Sequence, residues 1–252
     1  MMKELFDLSG KVALVTGSSR GIGYAIAEAL IAHGARVVVS SESAEDTAAA
    51  AATLGATGIA CNVADDAAVA RLVAQTIERL GGIDILVSNA GISGGSSTDP
   101  LDMTTFDRVM AVNLRSMVVL TKNALPGMAG RSGASVILIA SIAGLRGNGR
   151  IEAYAMAKAG VAQLARNLAV QWGPKGVRTN AIAPGLIATS FAEGLMGDKD
   201  FMVRRMQMTP LRRVGEPHEI AGAVVFLAAA AGGFVNGQVL VVDGGTVITD
   251  GS

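Results

Sequence analysis

The chain has 252 residues, half of them hydrophobic, with 21 basic and 21 acidic side chains. This suits one large α/β domain with a sizeable core, and the balanced charge leaves no global field to recruit nucleic acid or an acidic membrane surface. A single cysteine, Cys61, excludes an internal disulfide and a cysteine metal cluster, and two histidines, His33 and His218, leave little for a zinc site, so no metal is expected.

The first residues, Met1 to Asp7, lack the apolar core of a secretion signal. Val12 to Thr16 is a buried-strand run, and Gly17-Ser18-Ser19-Arg20-Gly21-Ile22-Gly23 follows it directly, opening an Ala-rich helix that reaches about His33-Gly34. Strand, glycine turn and helix are the context a nucleotide fingerprint requires. Glycines let the backbone turn sharply and approach a pyrophosphate, whose charge then lies on the helix N-terminus. The spacing is Gly-x-x-x-Gly-x-Gly rather than the commoner Gly-x-Gly-x-x-Gly.

Arg36 to Ser40 is the second strand, and Ser41 and Glu42 fall where a ribose-reading side chain is expected. Ser43 is placed to cap the helix after them. A third strand, Thr57 to Cys61, delivers Asn62-Val63. Asp65 to Leu80 then carries Val69, Leu72, Val73, Ile77 and Leu80 on one stripe and ends at Gly81-Gly82, the pattern of a crossover helix. Ile83 to Val87 is the fourth strand, broken by Ser88-Asn89-Ala90-Gly91 into a loop that runs to Pro100.

A long helical tract from about Thr104 to Leu125 contains Asn113 among apolar neighbours. Asparagine is an indifferent helix former, so it either bonds its own backbone or has another task. The fifth strand, Ser135 to Ala140, ends at Ser141, whose hydroxyl then sits at a strand's carboxyl end, where open α/β sheets bind ligands. From Glu152 to Trp172, Val161, Leu164, Ala165, Leu168, Ala169 and Trp172 recur at helical spacing until Gly173-Pro174. Tyr154 and Lys158 therefore share a face of this helix, one turn apart. An ammonium there is expected to favour the phenolate and lower a phenol's ordinary value of about 10, making Tyr154 a proton donor and acceptor.

Val177 to Ile182 is a sixth strand and Pro184-Gly185 a turn. Leu186 to Pro210 reads as a long loop rich in Met and Phe, with Leu186, Phe191, Leu195, Met196, Phe201, Met202, Met206 and Met208; such loops are lids or binding elements. A last helix, about Pro217 to Ala231, and a strand, Val239 to Val242, complete the pattern. The apolar run Ile220 to Ala231 is too short for a bilayer, which needs roughly 20 residues, and reads as buried. The C-terminal Asp250-Gly251-Ser252 is not a peroxisomal address, and a cytoplasmic protein is expected. Alternating strands and helices with right-handed crossovers specify a single-domain, doubly wound parallel sheet, a Rossmann fold of order 3-2-1-4-5-6-7.

The chain resembles the short-chain dehydrogenase/reductase family over its full length. The motifs are Thr16-Gly17-x-x-x-Gly21-Ile22-Gly23, Asn62-Val63, Asn89-Ala90-Gly91, Asn113, Ser141, Tyr154-x-x-x-Lys158, Pro184-Gly185 with Thr189, and Val242-Asp243-Gly244-Gly245. Within the family, the stretches Val37 to Ser41, Ile83 to Ala90 and Pro184 to Phe191 look most like broad-specificity carbonyl reductases acting on ketones and aldehydes. The resemblance implies hydride transfer between a nicotinamide and a ketone or secondary alcohol, with Tyr154 as acid and base and Lys158 aiding it and binding the nicotinamide ribose. It implies that Ser141 holds the substrate carbonyl and that Asn113 holds a water in a proton relay.

The cofactor residues it implies are Gly17, Ser19, Arg20, Gly21, Ile22, Gly23, Ser41, Glu42, Asn62, Val63, Asn89, Ala90, Gly91, Tyr154, Lys158, Pro184, Gly185, Ile187 and Thr189. Asn62 stands where the family usually has Asp, and Ser88 where Asn is more frequent. Relatives preferring NADP usually carry Arg at the place of Glu42, so a carboxylate there argues for NAD(H) over NADP(H), while Arg20 points the other way. Arg146 and Arg150 are candidates to meet an anionic substrate group. The resemblance also suggests a homotetramer. The alternatives are a reductase of 3-oxoacyl thioesters on acyl carrier protein or coenzyme A, and a non-catalytic nicotinamide sensor.

Overall fold

The computed structural model describes residues 3–94, 102–147 and 151–249. Its strands are β1 (Val12–Thr16), β2 (Arg36–Ser40), β3 (Thr57–Gly58), β4 (Ile85–Ser88), β5 (Ser135–Ile139), β6 (Arg178–Pro184) and β7 (Val239–Val242). They form one parallel sheet in the order β3-β2-β1-β4-β5-β6-β7, as the sequence predicts. The helices are α1 (Gly21–Ala32), α2 (Ala44–Leu54), α3 (Asp66–Leu80), α4 (Met103–Met110), α5 (Ser116–Met128), α6 (Glu152–Trp172), α7 (Glu193–Met196), α8 (Lys199–Gln207) and α9 (Pro217–Ala228).

Both faces of the sheet are covered, which is why its central strands read as unbroken apolar runs. Alternate residues go to opposite sides. Leu14, Val38, Leu86, Val136 and Leu138 pack with α3, α5 and α6, while Val15, Val37, Val39, Val87 and Ile137 pack with α1 and α9. Each buried Val or Leu contributes about 1.5–3 kcal/mol, and a one-residue slip of register would send every one of them to the wrong layer. Among the described residues, no helix is long and apolar enough to cross a membrane.

Three departures from the expected elements have physical causes. β3 stops at Gly58 although Ile59 and Cys61 still donate main-chain bonds to Val39 and Ser41, at 3.1 and 2.8 Å, because this edge strand leaves the sheet toward Asn62. The tract around Asn113 is not one helix: α4 ends at Met110, a single π turn spans Ala111–Arg115, and α5 follows. The segment from Leu186 to Pro210 is mostly helical rather than loop. Asp198 caps α8 by accepting from the Phe201 N–H at 2.9 Å, and Phe201, Met202, Arg205 and Met206 turn inward at helical spacing.

Candidate active site

β1 delivers the chain to Gly17, whose φ of 63° is a left-handed conformation that suits glycine. A Cβ on Gly17 would stand 2.7 Å from Ala90 Cα, and one on Gly23 would stand 2.1 Å from the Gly17 carbonyl oxygen. The close fit is fastened by Asn89, whose Nδ2 donates to the carbonyls of Thr16 and Gly17 at 3.1 and 2.9 Å. Thr16 Oγ1 in turn accepts from the N–H groups of Asn89 and Ala90. Ser18 ties the turn to β2, accepting from the Ser40 N–H at 2.8 Å.

The turn therefore opens α1 as a rigid concavity. Arg20, at the N-cap, makes no side-chain cap, so the first N–H groups of α1 keep their capacity to bind an anion. The loop after β6 reaches the same place: a Cβ on Gly21 would lie 3.4 Å from Thr189 Cγ2. Ile187 is held there by a bridge to Gly215.

At the carboxyl ends of β4 and β5 the chain assembles a second group. Asn113 is fully buried and reaches out of its own helix: its Oδ1 accepts from the Ile92 N–H at 2.8 Å and its Nδ2 donates to the Ile92 carbonyl at 2.7 Å. Both of its polar atoms thus clasp the loop after Gly91. Gly91 touches both Asn113 and Lys158, with a Cβ there lying 3.0 Å from Asn113 Oδ1 and 3.7 Å from Lys158 Nζ. Lys158 is buried and donates from Nζ to the Ile139 carbonyl at 2.7 Å, at the end of β5. Ser141, two residues past β5, caps a short 3₁₀ turn by accepting from the Ala143 N–H at 3.1 Å. That turn packs so tightly on α6 that a Cβ on Gly144 would sit 2.5 Å from Ala159 N. This places the Ser141 hydroxyl close enough to the Tyr154 phenol to act on its proton.

The electrostatics differ from the expectation for Tyr154. Burial pushes the phenol above its ordinary value, and the Ser141 hydroxyl offsets this only in part. Lys158 does not reverse the balance. Its Nζ lies 5.6 Å from the Tyr154 ring centroid, bonded to Ile139, and burial pushes its own value down to about 8. In this arrangement the phenol is a held proton rather than a preformed phenolate.

The other end of the cleft is more open. Ser41 Oγ is engaged with Thr47 Oγ1 at 2.7 Å, closing the start of α2, while Glu42 is exposed. Asn62 Oδ1 accepts from the Ala64 N–H at 2.9 Å. Beside them Ser19, Arg20, Tyr24 and Asp46 line a recess of about 310 Å³. Pro184 is buried, and Gly185 presses on the turn after β7, its would-be Cβ 2.7 Å from Asp243 Cα. Arg150 lies outside the described residues. Sequence reading placed Phe191 in the lid without its aromatic partner and overlooked Arg205. Phe191 places its ring 6.1 Å from that of Tyr154, and Arg205 is enclosed near Arg146 and Asp243. The helical stripe Phe201-Met202-Arg205-Met206 was the available signal for the second.

The fold and this motif series define the class: the chain belongs to the short-chain dehydrogenase/reductase family, NAD(P)-dependent oxidoreductases acting on alcohols and ketones. Residues 17–247 match the family described as Enoyl-(Acyl carrier protein) reductase. The Homo sapiens protein named Dehydrogenase/reductase SDR family member 4 is 39% identical over 246 residues, covering 95% of this chain and 88% of its own length. The 2-dehydro-3-deoxy-D-gluconate 5-dehydrogenase of Formosa agariphila is 36% identical over 261 residues, covering 100% of this chain and 98% of its own. The solved Pseudomonas aeruginosa RhlG/NADP active-site complex superposes with a TM-score of 0.91 at 33% identity, over 97% of this chain and 99% of that one.

Proposed function

We propose that this chain moves a hydride between a nicotinamide and a ketone or secondary alcohol, with Tyr154 exchanging the hydroxyl proton. The observation that carries this is the buried Lys158, bonded to the Ile139 carbonyl at the carboxyl edge of the sheet with its Nζ 5.6 Å from the Tyr154 ring centroid, beside Ser141. A dinucleotide suits the residues present, because the cradle has no room for a Cβ at Gly17 or Gly23 and leaves the N-terminus of α1 uncapped. Gly17, Ser19, Gly21, Ile22 and Gly23 would hold its pyrophosphate. Asn89, Ala90 and Gly91 would line its ribose path, and Pro184, Gly185, Ile187 and Thr189 its carboxamide end. When bound, the nicotinamide supplies or accepts the hydride.

The chain's own groups manage the rest. In reduction Ser141 donates to the substrate oxygen, stabilising the charge that develops there, and Tyr154, protonated at neutral pH, delivers its proton to that oxygen. Lys158 then faces a phenolate, and its ammonium stabilises it at short range in a dry site. Oxidation needs the reverse transfer, so it is favoured at higher pH than reduction. Asn113 acts here as a positioning residue, through its two bonds to Ile92.

For the cofactor we favour NAD(H). Glu42 and the acidic first turn of α2, Glu45 and Asp46, oppose a 2′-phosphate, with Arg20 the cation that flanks them. Residues 186–210 serve as the substrate lid, with Phe191 over Tyr154. A cytoplasmic homotetramer accounts for the exposed apolar side chains Val170, Phe234 and Ile248 around the end of α6 and the β7 edge.

The test follows nicotinamide absorbance with ketones, aldehydes, secondary alcohols and acetoacetyl-coenzyme A, with NAD(H) and NADP(H) in parallel. Tyr154→Phe is expected to lower turnover by about 10²–10⁴-fold while leaving cofactor affinity intact. Turnover that survives in this variant would remove Tyr154 from the chemistry, and cofactor binding with no turnover of anything by the wild type would favour the sensor.

A further inference from the structure

The lid carries more charge than its Met and Phe content suggests. Within residues 186–210 Lys199, Arg204 and Arg205 stand against Glu193, Asp198 and Asp200, and Arg212 and Arg213 follow directly. Their fates differ. Arg213 is paired with Glu219, Arg212 donates to the carbonyls of Met206 and Gln207, and Arg204 is exposed.

Arg205 turns inward. Its Nε is enclosed without a hydrogen-bond partner, although the residue as a whole is only half-buried. A buried donor left open in this way costs about 1–3 kcal/mol, a cost that an oxygen of a bound anion would remove.

The segment that carries Arg205 is fixed at both ends. At one end of the segment Phe191 lies on Tyr154. At the other, Thr209 Oγ1 accepts or donates with Thr246 Oγ1 at 3.0 Å, and the Leu211 N–H donates to Gly244. The turn so gripped is the one that touches Gly185, at the cleft. The segment that carries Arg205 thus runs from Phe191, on Tyr154, to the turn after β7. Two charges act on the guanidinium, Arg146, five residues after Ser141, and Asp243. Asp243 is committed elsewhere, since its carboxylate oxygens accept from the N–H groups of Gly245 and Val247 at 2.8 and 2.7 Å. Two guanidiniums against one carboxylate leave a single positive charge, which a monoanion neutralises.

We propose that Arg205, with Arg146 beside it, binds a carboxylate on the substrate, so that the preferred substrates are hydroxy acids and oxo acids. This rests on the oxidoreductase reading above and names the substrate class of that same site. Arg146 thus acts with Arg205 rather than with Arg150. A guanidinium fork matches a carboxylate with two parallel hydrogen bonds, which a lysine cannot reproduce.

Two measurements test it on the protein with cofactor bound. In the first, 4-oxopentanoate, 5-oxohexanoate and 5-keto-D-gluconate are compared with neutral partners, the methyl esters of the first two and D-fructose. Wild type is expected to favour the acids, and Arg205→Met to raise their KM about ten- to a hundredfold with kcat little changed. The acid is expected to lose at least about tenfold more than its neutral partner, with Arg205→Lys recovering part of the loss. Equal losses for acid and neutral partner, or a shift in the KM of the nicotinamide instead, would overturn the assignment. The second measurement is calorimetric titration of D-gluconate into Tyr154→Phe, which needs no turnover. Binding that disappears when Arg205→Met is added supports the site even if the first assay finds no activity, and equal binding in both proteins refutes it.

Discussion

Lys158 is 3% exposed, and burial pushes its value from 10.5 down to about 8. A lysine depressed in the fold binds fewer protons there than in the unfolded chain, so it makes stability rise with pH between the two values. Below about pH 8 the fold retains an ammonium in a dry site at nearly the full cost. Above the unfolded value the cost is gone. With 8 and 10.5 as the two values, the contribution of Lys158 changes by about 2 kcal/mol between pH 7.5 and 9.5. The assay is equilibrium urea unfolding of wild type and Lys158→Met at a fixed protomer concentration across that range. The difference in stability, wild type minus variant, is expected to climb by about 2 kcal/mol as pH rises. Tyr154 is present in both proteins and, being raised rather than lowered, contributes its own change only at higher pH, so the subtraction isolates the lysine. Parallel stability curves would refute the claim that Lys158 is held at a cost, and with it the idea that its charge is stored for a developing phenolate.

Replacing Glu42 by Arg is expected to raise affinity for NADPH relative to NADH by about tenfold or more, read by fluorescence titration of each reduced cofactor; an unchanged ratio removes Glu42 from the choice of cofactor. Gly23→Ala forces a Cβ to within 2.1 Å of the Gly17 carbonyl, so the turn must move. Cofactor binding is expected to fall below detection and stability by about 1–3 kcal/mol, and wild-type titration curves from this variant would show that the cradle is looser than described.

The sheet was legible because each central strand is buried on both faces and cannot hide its apolar run, as Val12–Thr16 and Ser135–Ile139 show. The helix bearing Tyr154 and Lys158 was legible to its last residue, Trp172, because Gly173-Pro174 ends it. The tract around Asn113 was misread, since a π turn has no compositional mark and depends on a tertiary bond to Ile92. The lid was misread for another reason. Its helices are short and half exposed, so apolar content suggested an irregular loop while the stripe containing Arg205 went unnoticed. The phenol's raised value was beyond sequence altogether, because one-turn spacing says nothing of the burial that raises it, nor of the Ile139 carbonyl that engages Lys158.

The π turn at Ala111–Arg115 also governs what lengths this part of the chain will tolerate. Such a turn houses one residue more than a regular one, here absorbed without interrupting the helical tract. Deleting that residue would restore ordinary spacing yet rotate everything on one side of it by about 100° relative to the other. Either Asn113 would swing away from Ile92, or Met117 and Leu120 would leave the core beside β4. Surface loops absorb a gained or lost residue at small entropic cost. In this stretch the reading frame of the helix itself is fixed, and one missing residue would dismantle the cleft while leaving Ser141, Tyr154 and Lys158 in the sequence.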